Sequence, residues 1–171
     1  AVEQTRKLVE SDGVLVMYNS LGTSTNTAVQ PYLAGKKVPQ LLLNSGASKW
    51  NDPAQNPWST SSIPHYVSEA VIFANHIMRN APDAKVGLLR QTDDYGKDYE
   101  DGLKKGFGDK VDQYLKAIQT FELSDPTVDS QILQLRDAGV DTVVLGALAK
   151  GAAQAIRKMG ELGWTPKVYL G

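Results

Sequence analysis

The sequence predicts an α/β fold built on parallel sheets, and three observations carry that prediction. Short apolar runs of strand length alternate with apolar stripes at helical spacing along the whole chain. Between successive runs lies a stretch long enough for a helical crossover, the connection that joins parallel strands and lays helices on both faces of a sheet. The 171 residues are 42% hydrophobic and 22% charged, the balance of an ordinary globular chain. A chain of that length can bury roughly 70% of its unfolded surface.

The elements follow in order. The chain opens on a helix-like segment, and Gly13 precedes an apolar run at 14–18. A helical stripe follows in Ala28, Val29, Tyr32 and Leu33, with Thr23, Ser24 and Thr25 as capping residues. Pro31 falls inside it; an interior proline costs ~3 kcal/mol, so a short or kinked helix is expected. Residues 38–43 form the next strand, with Leu41, Leu42 and Leu43 driving into a core. Residues 49–64 carry Asp52-Pro53, Asn56-Pro57 and Ile63-Pro64 and read as loop, the natural lobe boundary. Val67, Ala70, Val71, Ala74 and Ile77 mark an amphipathic helix stopped by Asn80 and Pro82.

A strand at 85–89 leads through "QTDDYGKDY" into a stripe of Tyr99, Leu103 and Phe107. Residues 115–123 alternate like a strand. "SDPTVDS" (124–130) reads as a helix start, with Asp125 as cap and Pro126 in the first turn, and that helix stops at Gly139. A strand at 142–145, a helix at 152–162 closed by Gly163, and a strand at 168–170 complete the pattern. A helical opening and a final strand suggest a piece cut from a longer chain.

The net charge is −1, from 18 basic and 19 acidic side chains, which gives no electrostatic argument for nucleic acid or an anionic membrane as partner. No apolar run approaches the ~18 residues of a membrane span. With no cysteine, disulfides and thiolate metal sites are excluded. Dinucleotide, phosphate-loop, nucleophile-elbow and S-x-x-K motifs are absent. His65 and His76 stand eleven residues apart, too far to share one metal ion. Asp93, Asp94, Asp98, Glu100 and Asp101 lack the spacing and turn glycine of a calcium loop and suit a solvated helix start. No metal, cofactor or catalytic group is therefore expected.

Two stretches remain, "LGTST" (21–25) and "NSGAS" (44–48), both small and polar at strand ends. In an open parallel sheet, ligands collect outside the carboxyl ends of strands. Amides at a helix N-terminus bind carboxylate or phosphate without a cation. The alternative is that both are only caps and turns.

Five blocks carry a wider resemblance: "SLGTSTNTAVQPYL", "VPQLLLNSGASKWNDP", "RQTDDYGKDYEDGLKKGFGD", "DPTVDSQILQLRDAGVD" and "AAQAIRKMGELGW". In order and spacing the chain resembles the type I periplasmic solute-binding proteins, and within them the branched-chain amino acid (Leu/Ile/Val) group that feeds ABC transporters. The resemblance implies two doubly wound parallel-sheet lobes, only partly covered here. Residues 1–60 would be the later part of the first lobe and 61–171 most of the second, with the hinge crossing near 59–64. It implies an extracytoplasmic (periplasmic or extracellular) receptor that is not an enzyme. Such a receptor captures a small carboxylate by lobe closure, delivers it to a membrane permease, and is expected to be a monomer.

Residue by residue, the resemblance places Gly22 and Thr23 at the loop that meets a ligand carboxylate, with the Ala47 backbone and the Ser48 hydroxyl opposite. Tyr66 and His65 would line the cleft after the hinge, Tyr95 would face it from the second lobe, and Leu148 would form a wall. Where amino-acid binders of the family place an aromatic residue, this chain has Leu148, Ala149 and Lys150. A carboxylate without an α-amino group is therefore as compatible as a branched-chain or other hydrophobic amino acid. Two other readings remain open: a ligand-sensing module of a regulator or receptor with the same fold, and a flavodoxin-like α/β enzyme.

Overall fold

Every strand pair in the computed structural model, which describes residues 1–171, is parallel. The chain forms two compact units, Ala1–Tyr66 with Asp93–Tyr95, and Val67–Thr92 with Gly96–Gly171.

The first unit contains α1 (Val2–Glu10), β1 (Met17–Tyr18), α2 (Thr23–Gly35), β2 (Gln40–Leu43), a 3-10 turn at Ser48–Asn51 and β3 (Ser59–Ser61). Its sheet has the order β1-β2-β3. Val29, Leu33 and Val38 form one small core with Val9, Met17 and Tyr32 against it, and Leu43, Ala47 and Trp50 form another with Tyr66.

Three expectations are corrected here. Pro31 does not shorten α2, which runs 13 residues. Thr23, Asn26, Val29 and Leu33 anchor its inner face, while Pro31 lies on the exposed side. Tertiary anchoring thus outweighs the local cost. Only Leu43 of the three leucines enters the core; Leu41 and Leu42 are exposed, because the register with β3 shifts between Gln40 and Leu43 and Leu42 takes φ 53°. The stretch 49–64 is not all loop, since β3 lies within it and pairs with β2.

The second unit contains α3 (Tyr66–Asn80, its first residue counted with the first unit), β4 (Val86–Gln91), α4 (Asp94–Phe107, its first two residues counted with the first unit), α5 (Val111–Tyr114), β5 (Leu115–Phe121), α6 (Asp129–Asp137), β6 (Thr142–Gly146), α7 (Ala149–Glu161) and β7 (Lys167–Leu170). The sheet order is β5-β4-β6-β7. One face, with Leu89, Val143 and Leu145, packs on Ile132 and Leu135 of α6 and on Ala152, Ala155 and Met159 of α7. On the other, a Cβ at Gly146 would lie 3.4 Å from the Tyr99 side chain of α4. The helix expected with Asp125 as its cap starts three residues later, with Val128 as cap and Asp129 as its first residue. Asp125 instead accepts a hydrogen bond from the Glu122 N–H at 2.9 Å, and Thr127 Oγ1 accepts from the Asp129 N–H at 3.0 Å.

Helices α3 and α4 meet through residues without bulk. A Cβ at Gly102 would lie 2.6 Å from both Ala70 Cβ and the Val67 carbonyl oxygen, and one at Gly106 would lie 2.5 Å from Ala74 Cβ. Gly102→Ala gains up to ~1 kcal/mol of helix propensity but forces the backbones apart. We expect a net loss of about 1–3 kcal/mol, read as a lower denaturant midpoint; a midpoint at or above the parent's contradicts this packing.

Glu100 carries the unit's most buried ion pair, with Arg90 Nε 2.7 Å from Glu100 Oε2 and Lys104 on the other oxygen. Burial pushes the Glu100 carboxyl up, but the Lys104 hydrogen bond, the Arg90 charge and the Arg90 hydrogen bond together hold it below its ordinary value. A depressed folded-state pKa gives stability that is present above the unfolded value and lost as pH falls through the folded one. Between pH 7 and about pH 3 the parent should therefore lose more melting temperature than Glu100→Gln does. Parallel curves in a pH series would remove Glu100 from the acid response.

Candidate functional site

Parallel pairing brings the carboxyl ends of β1, β2 and β3 to one edge of the first unit, and the loops that leave them are stitched together there. The Gly22 N–H donates to the Asn44 carbonyl at 3.2 Å and the Asn44 N–H to the Ser20 carbonyl at 3.0 Å, extending the β1–β2 pairing into both loops. The Ser61 hydroxyl donates to the Ser45 carbonyl at 2.6 Å, and the Tyr66 N–H to the Gly46 carbonyl at 2.9 Å.

Two glycines make this close approach possible. Gly22 has φ 96° and ψ 141°, a conformation that L side chains rarely adopt, and it caps α2. A Cβ at Gly46 would lie 2.2 Å from the Pro64 carbonyl oxygen. The bareness at Gly46 therefore serves the packing of one strand-end loop on the next.

A chain of buried side-chain hydrogen bonds fixes the Gly22 loop from below. The Ser59 hydroxyl donates to Gln40 Oε1 at 3.3 Å, Gln40 Nε2 donates to Asn26 Oδ1 at 3.4 Å, and Asn26 Nδ2 donates to the carbonyls of Gly22 at 2.7 Å and Ser20 at 2.9 Å. A second network centres on Ser45, which is fully buried. Its Oγ lies 2.7 Å from Thr23 Oγ1 and 3.0 Å from Trp50 Nε1, with the Ala47 N–H at 3.4 Å.

The residues singled out from the sequence are placed as follows. Gly22 and Thr23 start α2 and are both buried, Thr23 being 4% exposed. Ala47 is fully buried, whereas Ser48 is exposed and opens the 3-10 turn. His65 is half-buried in the segment leading into α3. The Tyr66 and Tyr95 rings are in tilted contact, 4.4 Å between centroids and 58° between planes, and Tyr95 is buried. These seven all belong to the first unit.

Leu148 belongs to the second, where it caps α7 and is 39% exposed. Its N–H donates to Gln91 Oε1 at 2.7 Å, which ties the loop after β6 to the end of β4. The chain leaves β4 outward to β5 and returns past it to β6, so these two strand ends form the topological switch point of that sheet.

The charges near the α2 start are already matched. The Ser24 hydroxyl donates to Asp93 Oδ2, so this helix end holds one carboxylate of the chain itself. Lys49 Nζ pairs with Asp94 Oδ2 at 2.7 Å and lies 4.9 Å from the Trp50 ring centroid. The remaining acids of the sequence cluster are also engaged, Asp101 by Lys97 and Glu100 by Arg90 and Lys104. Chemically the edge offers neutral donors, namely hydroxyls and helix-start amides, with aromatic rings beside them.

Sequence reading missed Asn26, Gln40, Ser45 and Trp50. A glutamine leading into three leucines is the one signal that could have raised Gln40, because a polar side chain in a buried strand needs a partner.

This architecture, parallel sheets with helices and polar loops gathered at the strand ends, is that of a ligand-binding α/β protein. The profile of the periplasmic binding proteins matches residues 1–171, and the chain belongs to that family. Sequence comparison with curated proteins gives no match. Among solved structures, the chain is similar to an extracellular ligand-binding receptor from Rhodopseudomonas palustris HaA2, with 22% identity, a TM-score of 0.84, and coverage of 98% of this chain and 46% of that one. It is similar to an R. palustris ABC-transporter solute-binding protein in complex with benzoate, with 16% identity, a TM-score of 0.83, and coverage of 99% and 46%. It is also similar to a leucine-binding protein from Thermotoga maritima MSB8, with 14% identity, a TM-score of 0.82, and coverage of 99% and 48%. The chain thus spans just under half the length of these structures, and the likeness shows the fold.

Asn26→Ala would leave the buried Gln40 amide without its acceptor, while the Gly22 carbonyl keeps the Thr25 hydroxyl and the Ser20 carbonyl keeps the Asn44 N–H. An unsatisfied buried group costs about 1–3 kcal/mol. We expect a loss of at least that order in urea unfolding at unchanged slope, and parent-like stability would show that the chain of amides does not hold the loop.

Proposed function

We propose that this chain is the ligand-binding part of an extracytoplasmic receptor that captures a small carboxylate and passes it to the membrane permease of an ABC transporter. The observation that carries the reading is the set of strand-end loops in the first unit, which present the α2 start, Thr23 and the exposed Ser48 hydroxyl at one edge. Family membership and the benzoate and leucine named for two similar structures support a carboxylate with an apolar or aromatic body.

In this reading residues 1–60 belong to one lobe and 61–171 to the other, the hinge crosses near 59–64, and the lobes close on the ligand. Closure follows from differential affinity: a ligand that makes contacts only in the closed state favours that state by the energy of those contacts. Gly22, Thr23 and Ser48 hold the carboxylate, and the Ala47 backbone, whose N–H faces Ser45 Oγ at 3.4 Å, supports the loop beside it. Tyr66, Tyr95 and Leu148 supply apolar walls, with His65 at the rim. The receptor acts as a monomer, makes or breaks no bond, and works in the periplasm or outside the cell.

Saturating ligand at 100-fold excess over Kd adds about 2.7 kcal/mol. For a domain of this size the melting temperature should rise by about 5–11 °C. A thermal-shift panel of aliphatic amino acids, aromatic carboxylates and dicarboxylates tests this, and a flat response to every carboxylate overturns it. With a binding carboxylate in hand, Ser48→Ala should weaken it while leaving the unliganded melting temperature in place.

A further inference from the structure

We infer that Trp50 and Ser45 act as positioning residues that lock Thr23 as a one-way hydrogen-bond donor, so that the proposed site selects an anionic acceptor over its neutral amide. The inference rests on the carboxylate reading of the site and specifies how its selectivity arises.

The direction of the Thr23–Ser45 contact follows from counting protons. A serine hydroxyl has one proton to give and two acceptor positions. Trp50 Nε1 can only donate, and it lies 3.0 Å from Ser45 Oγ. The Ala47 N–H can also only donate, and it approaches the same oxygen at 3.4 Å. Ser45 thus has both acceptor positions faced by donors, and what remains is its own proton. The partner for that proton is Thr23 Oγ1, at 2.7 Å.

The opposite direction fails. Were Thr23 to donate, three protons would converge on the two acceptor positions of Ser45 Oγ, and the Ser45 proton would be left without an acceptor at 0% exposure, whereas Thr23, at the start of α2, keeps 4%. Buried hydroxyls avoid that state. Thr23 therefore accepts from Ser45, and its own proton is not used in this contact. Thr23 is the first residue of α2, where the backbone N–H groups also point outward from the helix. With that proton turned away from Ser45, Thr23 Oγ1 adds a donor to the amides of the α2 start.

The indole proton, two residues beyond Ser48 in sequence, thus sets the chemistry of a hydroxyl on another element. A carboxylate meets a donor surface with acceptors only. A primary amide must turn an N–H toward donors or forgo a contact, which is how a site built of one polarity rejects a close isostere.

The test has one arm without ligand and one with it. In ligand-free protein at low temperature, proton NMR should show a slowly exchanging Ser45 hydroxyl with a nuclear Overhauser contact to Thr23, while the Thr23 hydroxyl exchanges with water. A protected Thr23 proton directed at Ser45 overturns the relay whatever the protein binds. In calorimetry with benzoate, benzamide, leucine and leucinamide, the parent should prefer each acid to its amide.

Trp50→Phe keeps an aromatic ring in the core, smaller than the indole, and removes the N–H, so Ser45 regains an acceptor position and Thr23 can turn inward. The acid-over-amide preference should then contract at least fivefold. Thr23→Val, close in shape but without the hydroxyl, should contract it likewise, and Thr23→Ser should restore it. A merely structural role for Trp50 would weaken acid and amide by the same factor, and that result refutes the inference. If none of the four probes binds the parent, the carboxylate reading falls and the selectivity with it, while the hydroxyl spectra still decide the donor order.

Discussion

Parallel pairing is the constraint on which the remaining features depend. A parallel strand must return to its starting edge before it can pair again, so each crossover leaves from the carboxyl edge and re-enters at the amino edge. In the first unit this collects the loops after β1, β2 and β3 within hydrogen-bonding reach of one another. In the second it creates a switch point where the ends of β4 and β6 diverge to opposite sides, with the Gln91 side chain joining the two loops. Helix starts necessarily sit at the same edges. A donor-rich surface is thus a consequence of topology, and the side chains decide only what that surface prefers.

Gathering loops in this way also gathers backbone polar groups away from water, and each one needs a partner. The first unit supplies them from its side chains. Ser59, Gln40 and Asn26 form a chain of side-chain hydrogen bonds that ends on the carbonyls of Gly22 and Ser20, beside the unusual conformation of Gly22. A half-satisfied network of this kind would cost more than an apolar core, since the penalty falls on every orphaned group. The same economy is visible at Ser45, whose carbonyl takes the Ser61 hydroxyl while its Oγ takes the Trp50 indole.

Much of this was legible in the sequence, and what was not has a common cause. Hydrophobic periodicity places α3, β4, α4, β5, β6 and α7 because each carries an apolar stripe or run of its own. Strand β3 carries none: its residues are Ser59, Thr60 and Ser61, and its position comes from the Gln40 N–H donating to the Trp58 carbonyl. The choice between Asp125 and Val128 as the start of α6 is made by the side chain of Thr127, a local competition that propensity cannot resolve. Ser45 and Ser48 are three residues apart in a segment without period; which one is buried depends on where the Trp50 indole reaches. Polar networks join residues distant in sequence, and no single window contains both ends.

The electrostatics of the first unit carry the argument about ligand class one step further. No unpaired cation stands at the α2 start: Lys49 is matched by Asp94, and the helix end already holds the Asp93 carboxylate through Ser24. An anion bound there would be held by dipoles, which keep their strength where mobile ions would screen exposed charges. Each hydrogen bond to a charged group contributes about 1.5–3 kcal/mol, while micromolar binding requires about 8.2 kcal/mol net after association costs of at least about 4 kcal/mol. Two or three such bonds fix orientation without reaching that total. The deficit has to be met by apolar area, at roughly 25 cal/mol per Å² removed from water. On the proposed carboxylate reading, a bare small acid such as formate would bind weakly, and an acid with an apolar body would gain by burial what the donors lack. The proposed preference for a hydrophobic acid thus has a physical ground in the weakness of neutral donors, separate from the names of similar proteins.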